Sequence, residues 1–408
     1  MRTKLLSLLI PAVLLLFSCD NADNGEYRDF LVAKPVTMSI EEYNASVQVL
    51  PPRSLEHSGK IYAYKDYIFV NEKFKGVHVV DNSNPVQPEK IGFLNIPGNV
   101  DISVKGDYLY ADSGNDLVVL DISQMADINL VKRLENVLND NMVWPADAEI
   151  YDYDEFDATS EVLLGWEVVT ERRLVAEYRD NMVFMAEAAN DLATGEGGSL
   201  ARFKIVGDFL YAVDPHYINI FNISDLDNPQ DLEDVFAGFD IETIFYYEDK
   251  LFLGSMRGMY IYDITNPSQP VKVSEFQHGT ACDPVVVQGN YAYVTLRGGN
   301  GCGATASGLF IVDLSDISDP VLAVSYPMDQ PYGLGVRGDA VFVCDGESGL
   351  KVYDKSDIMS LEQVQHFPDQ MAFDVIPLED TLLMVGEGVV HQYAYEGLQL
   401  HWISSTEL

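Results

Sequence analysis

Most of this chain is written in short runs of alternating apolar and polar residues, the period of a β-strand, broken by turn residues every few positions. Six runs share one phrase, a strand that ends in Asp or Asn and a turn that contains Ser or Thr. They are GVHVVDNSNP (76–85), DLVVLDISQM (116–125), INIFNISDLDNP (218–229), MYIYDITNPSQP (259–270), LFIVDLSDISDP (309–320) and LKVYDKSDIM (350–359). The turn residues Asp81, Asp121, Asn222, Asp263, Asp313 and Asp354 are spaced by 40, 101, 41, 50 and 41. The long gaps are one period of about 40 plus insertions of about 61 and about 9 residues. A second signal keeps step with the first, a strand–turn–strand start at SVKGDYLYA (103–111), KIVGDFLYA (204–212), FYYEDKLFL (245–253), GVRGDAVFV (335–343) and IPLEDTLLM (376–384).

Each unit therefore holds four strands, which is the grammar of a propeller blade. A first unit begins at KIYAYKDYIFV (60–70), and a last one carries Tyr393-Ala394-Tyr395 where the others have the Asp turn. The fold expected is an all-β, seven-bladed β-propeller of four-stranded antiparallel blades; the period also accommodates six or eight. In each turn the Asp carboxylate is placed to accept a backbone N–H two residues on and so to fix the exit into the fourth strand. A residue needed in every blade is a device of the fold, whereas a catalytic group is needed once. The phrase Leu309-Phe310-Ile311-Val312-Asp313 resembles the motif for which the LVIVD-repeat family of bacterial envelope propellers is named. The resemblance spans roughly residues 59–395. It implies the propeller and supplies no catalytic residues.

The ends of the chain read differently. Arg2 and Lys4 precede an apolar run from Leu5 to Phe17 that is short for a bilayer span, so residues 1–18 are expected to be a signal peptide. Leu16-Phe17-Ser18-Cys19 resembles a lipobox, and that resemblance implies cleavage before Cys19 and lipidation of its thiol. The mature chain would then be held at the outer membrane by acyl chains, on the periplasmic side or at the cell surface, with residues 19–36 as a polar tether. Ser39 is placed to start a short helix in a segment, 37–58, expected to cover the seam between first and last blades. The propeller would fill 59–404, interrupted by an acidic insertion at about 138–198. Because LQLHWIS supplies a fourth strand at the C-terminus, the ring should close without a strand borrowed from the N-terminus.

A net charge of −39 argues against nucleic acid and against electrostatic docking on anionic lipid. Export places the cysteines where disulfides persist, and Cys282 and Cys302 fall on loops of one propeller face, so a bridge between them is expected. Cys344 in VFVCDG reads as a small buried residue. GEGGSLARF (195–203) has glycines but no following Lys-Ser/Thr and no helix, so it is not a phosphate loop.

Propellers bind ligands where the loops into the first strands and those between second and third strands surround the channel mouth. On that face the sequence places Trp144, Arg202, His216, Arg257, His278, Arg297 and Tyr332 as candidate ligand contacts. The carboxylates Asp101, Glu242, Asp283 and Asp374 are candidate ligands for a hard cation, Ca²⁺ being the fitting one. The insertion adds Trp166 and the run DAEIYDYDEFDATSE (147–161), which lacks the glycine and the terminal Glu of an EF-hand. Two functions follow. One is an envelope lipoprotein that binds a protein, peptide or glycan partner without catalysis. The alternative is a metal-dependent hydrolase or lactonase-like enzyme, its channel cation held by some of those four carboxylates with His278 as base. No recognisable nucleophile turn accompanies either loop histidine, and no motif requires an enzyme.

Overall fold

The computed structural model describes residues 27–56, 58–125, 127–138, 141–142, 145, 148–154, 156–174, 198–277, 284–298 and 307–408. Cys19, Trp144, His278, Cys282, Asp283 and Cys302 lie outside them, and with them the lipidation site and the expected disulfide.

Seven antiparallel sheets of four or five strands account for most of these residues. The innermost strands touch one another in a closed cyclic order: Ile61–Tyr64, Ile102–Lys105, Phe203–Val206, Ile241–Tyr247, Val285–Gln288, Leu334–Arg337, Asp374–Pro377 and back to Ile61–Tyr64. These sheets are blades 1 to 7 of a β-propeller. A hydrophobic core fills each gap between neighbours, as where Val286, Tyr293 and Ile311 of blade 5 meet Leu334, Val341 and Val343 of blade 6. Blade strands are buried on both faces, which explains why their alternation is blurred by nearly continuous apolar runs. The third residue of the second strand is a fully buried ring in six blades: Phe69, Tyr110, Tyr211, Phe252, Tyr293 and Phe342. Two of those tyrosines donate across the gap to the third-to-fourth-strand turn of the next blade, Tyr110 to the Leu226 carbonyl at 2.7 Å and Tyr211 to Pro267 at 2.8 Å.

The recurring turn residue does what its position demands. Asp81, Asp121, Asn222, Asp263, Asp313 and Asp354 each accept the backbone N–H two residues on, at 2.7 to 2.9 Å. Blade 7 dispenses with it because its third and fourth strands, Val389–Glu396 and Gln399–Glu407, join directly in a tight hairpin at Gly397, φ +65°. All four strands of blade 7 come from the C-terminal end of the chain, so the ring closes without a shared strand.

Two readings of the N-terminal segment need correction. Residues Tyr27–Ser39, placed by sequence mostly in a tether, form a 13-residue strand paired along its whole length with Glu161–Leu174 of the insertion. Ile150–Tyr151 joins in parallel, giving a three-stranded accessory sheet with its own small core of Phe30, Val32 and Ile150. The helix Ile40–Ala45 does start at Ser39, whose Oγ accepts the Glu42 N–H. It docks on blade 2 rather than on the seam between blades 1 and 7, because the buried Tyr43 donates its hydroxyl to the Ser113 carbonyl and to Asp116. Gln48–Leu50 then adds a fifth strand to the outer edge of blade 1.

Candidate functional site

The channel mouth on the loop face is occupied by the chain itself. Residues 198–202, which lead into blade 3, cross the mouth and are anchored on three other blades. Arg202 and Phe203 donate their N–H groups to the Asp101 carboxylate of blade 2 at 2.6 and 3.0 Å. The Ala201 carbonyl accepts the Ile244 N–H of blade 4 at 2.6 Å, and Ser199 Oγ accepts the Leu334 N–H of blade 6 at 2.8 Å. Beneath this stopper lies a cavity of about 330 Å³ bounded by Gly198, Ala201 and inner-strand residues of blades 1 to 4.

Asp101 is thus fully committed. Besides those two N–H groups it accepts its neighbour Ile102 at 2.8 Å and the buried ammonium of Lys60 at 3.2 Å. Burial pushes its carboxyl up to about 6 against the opposing pull of Lys60, and burial likewise brings Lys60 down to about 8. Each is the other's nearest charged partner. Asp374 sits at the equivalent inner position of blade 7, entirely buried. Among the described residues, neither of its carboxylate oxygens meets a donor in bonding geometry. Burial holds this carboxyl well above its ordinary range, with the nearby N–H groups of Val375 and Ser199 and the Lys60 charge acting in the opposite direction.

Of the four carboxylates proposed as cation ligands, Asp283 lies outside the described residues, and Asp101, Glu242 and Asp374 form no group that could hold a metal ion. Among the described residues no group of three or more His, Cys, Asp or Glu side chains could hold a metal ion. Other acids of the loop face serve as caps. Asp112 accepts the Val100 and Asp101 N–H groups, both at 2.8 Å, and Asp214 those of His216 and Tyr217 at the same distance. Asp345 accepts Gln330 N–H at 2.7 Å and pairs with Lys351. In the insertion, Asp152 pairs with Arg173, Glu149 with Arg28, and Asp157 holds a turn through Thr159 and Ser160. The buried Trp166 packs edge-on against the half-buried Tyr151 and the exposed Tyr153, so these aromatics pack on one another within the accessory sheet.

The candidate ligand contacts separate into three places. Arg202 lies buried in the stopper. Arg297 stacks on Tyr332 at 4.0 Å, a pair at the junction of blades 5 and 6. His216 and Arg257 meet at a third place, around an exposed aromatic cluster that the sequence reading missed. There Tyr217, Phe236, Phe239 and the His216 ring form an edge-to-face chain with centroids 5.5 to 5.6 Å apart. Phe236 is 53% and Phe239 48% exposed. The Arg257 guanidinium lies over Phe239 at 5.3 Å and pairs with Asp240 at 2.5 Å.

These rings border a groove of about 860 Å³ between Val235–Phe239 of blade 3 and the outer two strands of blade 4. Its origin is local. Outer strands of the other six blades run unbroken for six to nine residues, whereas that of blade 3 survives as two fragments, Gln230–Asp231 and Val235–Phe236. The sequence QDLEDVFAGFD has acids where alternation would require apolar residues, and the edge of blade 4 is left uncovered. Gly238 is obligatory there: at φ +156°, a Cβ would meet the Tyr260 ring at 2.6 Å.

A family model described as the LVIVD repeat matches residues 57–95, 98–135 and 278–327. The chain carries LVIVD repeats. The three matches fall on blades 1, 2 and 5; blades 3, 4 and 6 keep the same turn. A search of the curated proteins finds no match to this LVIVD-repeat chain. Among solved structures, a proposed 6-phosphogluconolactonase from Bacteroides fragilis NCTC 9343 is 8% identical with a TM-score of 0.53, over 88% of this chain and 97% of that one. BamB from Moraxella catarrhalis is 7% identical with a TM-score of 0.48, over 90% and 99%. A protein of unknown function from Desulfotomaculum acetoxidans DSM 771 is 14% identical with a TM-score of 0.49, over 83% and 96%. At such identities the likeness concerns the fold alone.

Proposed function

We propose that this LVIVD-repeat chain is an outer-membrane lipoprotein, anchored through Cys19, whose propeller binds a protein, peptide or glycan partner and has no catalytic role. The observation that carries the reading is the contrast between the channel mouth and the groove between blades 3 and 4. The channel mouth, where a propeller enzyme would hold its substrate, is stoppered by residues 198–202, and its carboxylate Asp101 is spent on three backbone N–H groups and Lys60. The groove between blades 3 and 4 stays open and is bordered by exposed rings, the kind of apolar surface that marks an interaction site.

A channel cation would have to displace those hydrogen bonds at Asp101. The test is thermal unfolding of the protein in excess Ca²⁺ and in chelator. A ligand that binds only the native state adds about 2.7 kcal/mol at a hundredfold excess over its dissociation constant. Coincident transitions are expected; a calcium-dependent rise would replace this reading with the metal-dependent hydrolase. The anchor is tested separately by metabolic labelling with an alkyne fatty acid, which should mark the chain and not its Cys19→Ser variant.

A further inference from the structure

We propose that the groove between blades 3 and 4 seats an extended peptide segment of a partner protein, one that carries apolar side chains next to a lysine or arginine. This rests on the binding reading above and names the chemistry of its ligand.

The apolar half of the argument is the groove wall. Val235, Ala237, Pro270 and Val271 line it beside Phe236, and Val271 is 63% exposed. Two of the rings that a sugar would stack on carry a cation, Arg257 over Phe239 and Lys272 over Tyr260 at 4.9 Å. Beside them the groove presents aliphatic surface and the exposed Phe236, which suits side chains such as Val, Leu or Phe.

The cationic half comes from charge. Inside the groove the ions are balanced, Arg257 by Asp240 and Lys272 by Glu275. On the blade 3 side the outer strand breaks at Leu232-Glu233-Asp234, and together with Asp231, which ends the first fragment, this stretch carries three acids with no basic residue among them. Asp234 is the residue before Val235 of the groove wall, and its Oδ1 is buried with no hydrogen-bond partner among the described residues. Burial, with Asp231 and Asp214 nearby, pushes its carboxyl up to about 6. A cation from a bound segment would relieve that repulsion, and the net charge of −39 draws basic segments in from a distance.

The test uses the full chain in lipid nanodiscs and fluorescein-labelled heptapeptides that alternate Val or Phe with Lys, the same peptides with Glu for Lys, and the same with Ser for Val and Phe. The Lys peptides should bind, with at least tenfold weaker binding of both control sets and a clear loss of affinity in added salt. Phe239→Ser should weaken them about tenfold and Asp234→Asn several-fold. Both variants change half-buried or exposed residues, and an unchanged melting transition shows that they fold. Equal binding of Lys and Glu peptides, indifference to Phe239→Ser, or displacement of the Lys peptides by a neutral oligosaccharide such as maltoheptaose would overturn the proposal. If no peptide binds, a photo-cross-linking residue at position 239 in cells separates the two claims. Capture of a specific protein there would overturn the peptide chemistry and leave the binding reading standing, whereas no capture at 239 or at 332 would count against both.

Discussion

Asn82 and Gln392 face each other across the seam between blades 1 and 7 and exchange two hydrogen bonds, Asn82 Nδ2 to Gln392 Oε1 at 3.1 Å and Gln392 Nε2 to Asn82 Oδ1 at 2.6 Å. No strand is shared between the chain's two ends, so side chains must close the ring. The rest of the seam is apolar, with Ile61, Ile68 and Val80 against Ile376, Leu383 and Val390, and with Ser58 and Ser404 donating to the Gly386 and Pro85 carbonyls. Gln392 is fully buried, so Gln392→Ala removes both bonds and strands the Asn82 amide. The expected cost is about 1–3 kcal/mol, read as a lower urea midpoint with unchanged slope. If the slope falls instead, the seam opens before the other blade junctions and the ring unfolds in stages.

The buried pair Lys60 and Asp101 predicts a particular pH response. Lys60 has its folded pKa lowered from 10.5 to about 8, chiefly by burial. A base whose pKa is depressed on folding disfavours the native state below that value, so its contribution to stability rises as pH climbs from about 8 towards 10.5. Asp101→Asn removes the counter-ion, so the folded pKa of Lys60 falls further and the window of rising stability widens downward. At pH 7 the variant should be destabilised by about 3–5 kcal/mol, the usual effect of leaving a buried charge unpaired. Its deficit should shrink as pH rises to 9, and Lys60→Met in the same background should recover much of the loss. A pH-independent deficit in differential scanning calorimetry would mean that the N–H groups of Arg202 and Phe203, not Lys60, are what Asp101 holds.

What could be read from the chain and what could not divide along a physical line. Asp81 and its five counterparts were legible because an Asx turn is local: one side chain, one N–H two residues away, repeated at a fixed period. Four strands per blade followed from the same local signals. Lys60 escaped notice because a lone lysine before a strand carries no pattern; its importance lies in Asp101, 41 residues on and one blade away. The stopper was illegible for the same reason, since the partners of Ser199, Ala201 and Arg202 sit in three other blades. Tyr27–Ser39 might have been read as a strand from its apolar alternation at Phe30 and Val32, but its partner strand lies more than a hundred residues away in the insertion. Phe236 and Phe239 did leave a trace. In DLEDVFAGFD the apolar alternation of an outer strand fails, and two aromatics survive beside a glycine where nothing in the sequence requires them to be buried.

The repeated turn gives the sharpest test of the fold's own logic, because one blade already carries the conservative substitution. Asn222 stands where the others have Asp and accepts the Ser224 N–H at 2.9 Å, within the range of the carboxylates. Asp263→Asn should therefore keep the turn and cost little at pH 7. Asp263→Ala removes the acceptor and should cost on the order of 1 kcal/mol, by the net value of one such bond. The two variants separate further in acid. Hydrogen bonds from Thr265, with Lys250 in support, hold the Asp263 carboxyl down at about 2, against 3.8 as the unperturbed value. A depressed folded pKa gives stability that is present above the unfolded value and lost as pH falls through it towards 2. Asp263→Asn lacks that titration, so relative to the parent its stability should rise between pH 4 and 2, while Asp263→Ala stays below Asp263→Asn throughout. Chemical denaturation of the three proteins at pH 7, 4 and 2.5 distinguishes the cases. Parallel curves for Asp and Asn across that range would show that the turn is held by hydrogen-bond geometry alone, with the charge contributing nothing.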